Sequence, residues 1–210
     1  MRFLSSLILS IPLTLSTGWE TLSFRKIPPN QISYQQDGLH ISVKSSSSPL
    51  IYKFENTKNI QRVVAEGYLR GKINIPDFRQ QGLKGHDDMP LRLGLVLEGA
   101  QTLSWGEKLI AAEWIKKMHS MAPKEKGLDH VLFLEVASTA QLIGIKRDHY
   151  LSKLLKEEIV ASVNEQGYFK IDKSFDLPQK VLGLWLSTSG DHGPSTFDLH
   201  IQKIELTTVN

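Results

Sequence analysis

The chain has 210 residues, of which 40% are hydrophobic and 22% charged, and it has no cysteine. This composition is that of an ordinary globular domain, which excludes collagen-like, coiled-coil and wholly disordered chains. The missing cysteines exclude disulfides, zinc–thiolate sites and iron–sulfur clusters. The formal net charge of +3 is too small to predict a nucleic-acid partner without a basic cluster. The length predicts a single domain.

The first 18 residues have the pattern of an export signal. Arg2 precedes a short apolar run, and Ser16-Thr17-Gly18 supplies the small side chains expected before a cleavage site. The run is shorter than a transmembrane span of about 20 apolar residues. We therefore expect a signal peptide at residues 1–18, a single periplasmic or secreted domain at residues 19–210, and no stable membrane span after cleavage before Trp19. The alternatives are a buried N-terminal strand and an uncleaved membrane anchor.

Short segments rich in alternating apolar and polar residues predict that most of the chain is β-strand. The predicted strands lie at residues 39–44, 50–54, 63–75, 90–98, 130–137, 168–172, 181–186 and 197–206. In the fourth strand Leu91, Leu93 and Leu95 face one way and Arg92 the other, which is typical of antiparallel sheets. In the last strand the apolar positions change parity near Gln202, which predicts a β-bulge.

Two helices are predicted between the strands. Ser104 and Glu107 have the spacing of a capping box, and apolar residues from Trp105 onward recur at helical intervals. A second helix is predicted from Asp148 to Glu158. The elements together predict a mainly β fold, a two-sheet antiparallel β-sandwich with two short rim helices, because strand–helix alternation is missing.

Four motifs resemble those of one protein family. In chain order they are Tyr68-Leu-Arg-Gly-Lys-Ile73, Lys84-Gly-His-Asp-Asp-Met-Pro-Leu-Arg-Leu93, Arg147-Asp-His-Tyr150 and Leu184-Trp-Leu-Ser-Thr-Ser-Gly-Asp-His-Gly193. Over roughly residues 39–206 the chain resembles the bacterial domain of unknown function 3047 family. Gly71 departs from the family pattern, where a second aromatic residue is usual, and Asp191-His192 replaces a more acidic turn. The resemblance implies an exported jelly-roll sandwich similar to galactose-binding-type domains, and it leaves the activity open.

The densest polar cluster is the loop His86-Asp87-Asp88. Its carboxylates and imidazole suit either a hard cation such as calcium or direct contact with a ligand. Aspartates in such loops also cap backbone N–H groups, and Asp88 has Arg92 or Arg70 as potential ion-pair partners. We favour the structural role and expect no cofactor, with Asp87 and Asp88 as the candidate ligands if a metal binds.

A second cluster lies at residues 187–194 and contains serine, Asp191 and His192. A catalytic triad is not predicted there, because the chain has no Gly-x-Ser-x-Gly elbow and triads are defined by geometry. The density of glycine, proline, serine and aspartate is typical of a turn. Asp191 and His192 remain candidate ligand contacts.

The strand face that carries Tyr68, Arg70 and Arg92 is the main candidate site. An aromatic ring flanked by guanidinium groups suits a sugar ring or an anionic glycan. The alternative is that these side chains pack beneath a rim helix or form surface ion pairs. Trp105 is a further candidate ligand contact, on a helix that could cover the sheet, whereas Trp185 is expected in the core.

These observations favour an exported, non-catalytic β-sandwich that binds a glycan or another small envelope ligand. The alternatives are a carbohydrate-active hydrolase or lyase that uses residues 86–88, and a purely structural envelope protein. The oligomeric state is not predicted. The placement of Asp87, Asp88 and Asp191, around one cavity or within turns, discriminates the first two hypotheses.

Overall fold

The structure is a computed structural model that describes residues 6–209. Over this range the chain is mainly β, as predicted. The strands are β1 (Ser6–Ser10), β2 (Trp19–Thr21), β3 (Gln31–Gln35), β4 (Gly38–Lys44), β5 (Leu50–Lys72), β6 (Leu91–Gly99), β7 (Gly127–Ala137), β8 (Lys146–His149), β9 (Ser152–Ser162), β10 (Tyr168–Ser187) and β11 (Thr196–Val209). The helices are α1 (Trp105–Ile110) and α2 (Glu113–Met121), with single 3-10 turns at Phe78–Gln80 and Ala140–Leu142.

The strands form two layers that share the long strands β5 and β10. The hydrogen-bonded order is β3-β4-β11-β5-β10-β6-β7-β9-β8. The first layer contains β3, β4, β11 and the adjoining parts of β5 and β10. The second contains the other parts of β5 and β10 with β2, β6, β7, β9 and β8. Irregular register between Ser174 and Gln179 lets β10 bend between the layers.

The core lies between the two layers. One cluster of buried apolar side chains includes Leu39 and Ile41 of β4, Leu199 of β11, and Leu93 and Leu95 of β6. The predicted alternation in β6 is therefore confirmed. The predicted bulge in β11 is confirmed as well, because the register with β5 shifts between Ile201 and Lys203.

Several strand and helix assignments differ from the sequence prediction. Residues 50–54 and 63–72 belong to one strand, β5, whereas residues 73–75 of the predicted strand lie beyond its end. Residues 168–172 and 181–186 belong to one strand, β10. The second predicted helix is wrong, because residues 146–149 and 152–162 are β8 and β9. Glu157 occupies a buried position of β9, so its charge hides the period-two pattern. The β7–β9 pair is parallel, unlike the antiparallel pairs elsewhere in the described sheet.

The N-terminal segment packs on the sandwich. β1 pairs with β11, and Ile11 and Leu13 are buried in the core. The Trp19 indole N–H donates to the carbonyl of Pro12 at 2.7 Å. The strand β1 itself is exposed apart from half-buried Leu9, and only the residues after it enter the core. Signal cleavage stays a prediction, and residues 1–5 lie outside the described range. Within residues 6–209, neither helix has the length and apolarity that a membrane crossing requires.

Candidate functional site

A cavity of about 360 Å³ lies on the outer face of the second layer. Its floor follows from strand register, because residues paired across strands point to the same face. Ser187 of β10 is paired with Arg92 of β6, and Trp185 is paired with Gly94, which is paired with Phe133 of β7. A Cβ atom at Gly94 would lie 2.8 Å from the Phe133 ring. The missing side chain thus lets an aromatic ring lie over the sheet, and the cavity has the size of a small-molecule site.

The cavity lining combines aromatic and polar side chains. The apolar part is Phe24, Ile27, Pro49, Ala112, Trp114, Phe133, Leu151, Leu155 and Trp185. The polar part is Ser47, Asp87, Arg92, His149, Tyr150, Ser187, Ser189, Asp191 and His192. The Trp185 ring meets those of Trp114 and Phe133 edge to face, with centroids 5.9 and 5.7 Å away. Trp185 is buried, as predicted, and it also forms part of this wall.

Arg92 anchors the polar part of the cavity. Its Nε donates to Glu135 Oε1 at 2.7 Å, and its Nη1 donates to Ser189 Oγ at 3.1 Å. Its Nη2 donates to the Asp87 carboxylate, and both Nη atoms donate to the Asp87 carbonyl at 3.3 Å. Only 6% of the Arg92 side chain is exposed. The guanidinium therefore holds loops of the protein together, and a direct contact of Arg92 with a ligand stays a prediction.

His149 is fixed by hydrogen bonds at both ring nitrogens. The Leu151 N–H donates to Nδ1 at 3.2 Å, so Nε2 carries the proton and faces Asp87 Oδ2 at 3.1 Å. The His149 ring also stacks on Tyr150, with centroids 4.7 Å apart. Burial alone would raise the pKa of Asp87, but Arg92 and His149 outweigh it and hold that pKa below its usual range. Asp87 is therefore an anion at neutral pH.

Two further carboxyl groups lie beside the Arg92 cluster. Glu157 accepts a hydrogen bond from Arg147, and its Oε1 lies 3.9 Å from Arg92 Nη2. Burial raises the pKa of Glu135 against the attraction of Arg92, and together with the charge of Glu157 it brings that pKa to about 7. Within residues 6–209, Glu135 Oε2 and Glu157 Oε1 are buried without a hydrogen-bond partner. Glu135 is thus the carboxyl group here that takes up a proton near neutral pH.

The three candidate aspartates have different positions. Asp88 accepts hydrogen bonds from the backbone N–H groups of His192 and Gly193 at 2.9 and 3.1 Å. It also accepts one from Ser195 Oγ at 2.9 Å, which confirms the structural role expected for an aspartate in this loop. Asp87 and Asp191 instead line the cavity.

The cavity rim carries two groups with raised pKa values. Burial raises the pKa of Asp191, against the attraction of the His192 imidazole. Burial, and next the charge of Asp87, raises the pKa of Tyr150 to about 12. The Tyr150 hydroxyl lies 3.5 Å from His192 Nε2. His86 lies away from this rim, at a smaller cavity of about 150 Å³ that it shares with Asp88.

The predicted shared face of Tyr68, Arg70 and Arg92 is wrong. Tyr68 and Arg70 lie on the outer face of the first layer, where Tyr68 is paired with His200 of β11 and Tyr168 of β10. Arg92 lies on the outer face of the second layer. The two layers separate these faces because β5 contributes Tyr68 and Arg70 from its first-layer part.

The prediction that the Trp105 helix covers the sheet is also wrong. The Ser104 capping box is present, but α1 ends at Ile110 and Trp105 is 79% exposed. The chain turns at Ala111 and Ala112 before α2 begins, so α2 covers the second layer and brings Trp114 to the cavity.

Sequence reasoning did not identify several residues of the site. Glu135 carries a signal of its own, since it is the charged residue within the otherwise apolar residues 131–137 of β7. His149 and Tyr150 belong to the motif Arg147-Asp-His-Tyr150, but because a helix was wrongly predicted there, neither residue was assigned to the site. Phe133 and Trp114 carry no signal, because apolar residues in buried elements are ordinarily core.

No protein-family model and no curated protein matches the chain. Among solved structures it is similar to a xylan-binding module, CBM15, with 9% sequence identity and a TM-score of 0.38. That similarity covers 97% of this chain and 97% of the module. The resemblance to the domain of unknown function 3047 family stays a prediction. We therefore infer the function from the cavity.

Proposed function

We propose that the chain is an exported β-sandwich that binds a small glycan, or another envelope ligand of similar chemistry, in the cavity above the second layer. One observation carries this proposal: aromatic rings and hydrogen-bonding side chains meet in one cavity of about 360 Å³. Ligand sites combine apolar walls with a few polar groups that fix orientation.

A sugar ring fits this combination of groups. The C–H faces of a pyranose are apolar and pack on aromatic rings, which Trp114, Phe133 and Trp185 supply. Its hydroxyl groups require donors and acceptors at the ring edge. The Tyr150 hydroxyl is suited to donate a hydrogen bond to the sugar, and the Asp191 carboxyl group is suited to accept one. Arg92 contributes indirectly, by holding Asp87 and Ser189 at the wall.

The hydrogen bonds in the cavity favour binding over catalysis. A general base needs a free lone pair directed at its substrate. Both ring nitrogens of His149 are engaged by the protein, and both carboxylate oxygens of Asp87 accept hydrogen bonds from Arg92 and His149. His149 and Asp87, the groups most suited to proton transfer, therefore already form hydrogen bonds within the protein.

A carbohydrate-active hydrolase is the second candidate, on one specific observation. The pKa of Asp87 is lowered and that of Asp191 is raised, and both residues line the same cavity. Carboxyl groups with pKa values pushed apart are the usual acid and base of glycoside hydrolysis.

A glycan array on the mature protein, followed by calorimetric titration of the strongest hit, tests the binding proposal. We expect Trp114→Ala to weaken binding at least about tenfold, as for other buried aromatic anchors. Tyr150→Phe removes one hydroxyl and is expected to weaken binding with little change in melting temperature. Trp105→Ala is the matched control, since Trp105 is exposed outside the cavity. Equal affinities for all variants would place the ligand elsewhere.

The hydrolase alternative is tested by incubating the same glycan with the protein and measuring new reducing ends. Turnover that disappears in Asp191→Asn would support a hydrolase. The binding proposal predicts no turnover from either protein.

Export is tested by expression with the native N-terminus in a Gram-negative host. We expect a periplasmic product whose intact mass corresponds to a chain that begins near Trp19. A soluble cytoplasmic product that retains Met1 would contradict export.

A further inference from the structure

Two histidines that are distant in sequence meet on the outer face of the first layer. The antiparallel register of β4 and β11 places His40 directly opposite His200. Their rings are stacked, with centroids 4.1 Å apart and an angle of 15° between the planes. The neighbouring residues Leu39, Ile41 and Leu199 are buried in the core, so the imidazoles point outward. Their side chains are 29% and 19% exposed, which leaves both within reach of solvent.

Asp37 brings a carboxylate to the same place. It lies in the turn between β3 and β4, and its Oδ1 is 2.8 Å from His40 Nε2. His200 Nε2 is 3.6 Å from Asp37 Oδ2 and donates to the Asp37 carbonyl at 2.9 Å. The turn lies in close contact with β11, where only glycine fits, since a Cβ atom at Gly38 would lie 2.2 Å from the carbonyl oxygen of Ile201. Strand pairing and turn geometry thus direct two imidazole nitrogens at one carboxylate.

We infer that Asp37, His40 and His200 form a binding site for a divalent transition-metal ion such as Zn²⁺. Imidazole nitrogen and carboxylate oxygen are ligands that Zn²⁺ prefers, and three protein ligands leave a position for water. The three ligand atoms lie within 4.8 Å of one another. Rotation of the imidazoles about χ2, a torsion with a broad energy minimum, directs both Nε2 lone pairs at a common ion. Ca²⁺ is a poor match, since it takes six to eight oxygen ligands.

Two other groups of acidic and histidine side chains are less suited to a cation. Asp87, His149 and Glu157 are close together, but the Arg92 guanidinium is bonded to Asp87 and repels a metal ion. Asp88 lies with Asp191 and His192, but the oxygens of Asp88 already accept hydrogen bonds within the turn. Of the groups within residues 6–209, the one on the first layer combines two imidazoles, and their side-chain hydrogen bonds are to Asp37 and not to a guanidinium.

Calorimetric titration of the tag-free protein with Zn²⁺ tests the inference. We expect stoichiometric binding to the wild type and at least about tenfold weaker binding to His40→Gln, His200→Gln and Asp37→Asn, since loss of even an outer-shell partner typically has that effect. His130→Gln is the matched control, because His130 is a partly exposed histidine 3.0 Å from Asp129 without a second imidazole in its ion pair. Its affinity should equal that of the wild type.

Two further measurements separate coordination from misfolding. Zn²⁺ should raise the melting temperature of the wild type and of His130→Gln, and should leave His40→Gln unchanged, because a ligand of the folded state stabilises it. Co²⁺ substituted for Zn²⁺ should give the visible absorption of a low-coordinate site only where both histidines are present. Absent binding, or wild-type affinity in His40→Gln and His200→Gln, would overturn the site. The site is remote from the glycan cavity, so either proposal can fail without the other.

Discussion

The two outer faces of the sandwich use similar ion pairs in different surroundings. On the first layer, Arg62 pairs with Asp172 at 2.6 Å, and the side chains are 47% and 37% exposed. On the second layer, Arg92 pairs with Asp87, and the side chains are 6% and 10% exposed. Solvent screens the first pair, whereas the second depends on its protein partners to offset the desolvation of its charges. Because the charges on the second face are buried, each of them depends on its partners in the network for its stability.

The largest expected difference between the faces follows from removing one arginine. Arg92→Ala leaves the carboxylates of Asp87, Glu135 and Glu157 buried without their central cation, which is expected to cost about 3–5 kcal/mol of stability. Arg62→Ala on the first layer is the matched control and should shift the unfolding midpoint very little. Urea denaturation at pH 7 measures both. Similar losses in the two variants would contradict the contrast between the faces.

The buried network should also respond to pH. The folded-state pKa of Glu135 is about 7, above its usual value of 4.5. Between these values the folded protein holds a proton that the unfolded chain releases, so stability falls as pH rises and levels off above about pH 7. A shift of this size corresponds to about 3 kcal/mol.

Glu135→Gln is expected to remove most of this pH dependence, because glutamine does not titrate. Asp191 also has a raised pKa, so it contributes in the same direction to both proteins. Asp87 has a lowered pKa and acts with the opposite sign, in more acidic solution. Denaturation midpoints from pH 5 to pH 8 should decline more steeply in the wild type than in the variant. Parallel curves would contradict the assignment to Glu135.

A smaller difference in stability is expected when one aspartate on each face is replaced by alanine. Asp88→Ala removes the acceptor for two backbone N–H groups near the cavity and should cost about 1–3 kcal/mol. Asp198 on the first layer accepts from Ser42 Oγ at an exposed position. Asp198→Ala should therefore change the melting temperature less than Asp88→Ala does. The reverse order would mean that the turn at residues 192–195 does not need its cap.

The sequence predicted the core better than the site. The alternation of Leu91, Leu93 and Leu95 identified the inward face of β6, because apolar burial leaves a period-two pattern. It also placed Arg92 on the opposite face correctly. The partners of Arg92 were unpredictable, because the fold brings together Asp87, Glu135 and Glu157 from separate segments. The charge of buried Glu157 also interrupts the alternating pattern of β9, so a helix was predicted there instead of a strand.

The proposed metal site on the first layer also could not be predicted from the sequence. His40 and His200 carry no zinc-binding spacing, and only the β4–β11 register makes them neighbours. The prediction that Tyr68 and Arg92 share a face was wrong because the sequence does not show the order of the strands. Alternation within each strand was right in both cases, but strand order decided which layer each face belongs to.

The most direct test of the glycan proposal is to map the bound ligand on the two faces. In a titration of the ¹⁵N-labelled protein with the strongest glycan-array hit, the amide signals of Leu151 and Ser189, which line the cavity, should shift in proportion to saturation. Those of Tyr68, Tyr168 and His200 on the first layer should remain unchanged. Shifts confined to the first layer would contradict the account and place the binding site on the face that carries Tyr68 and Arg70.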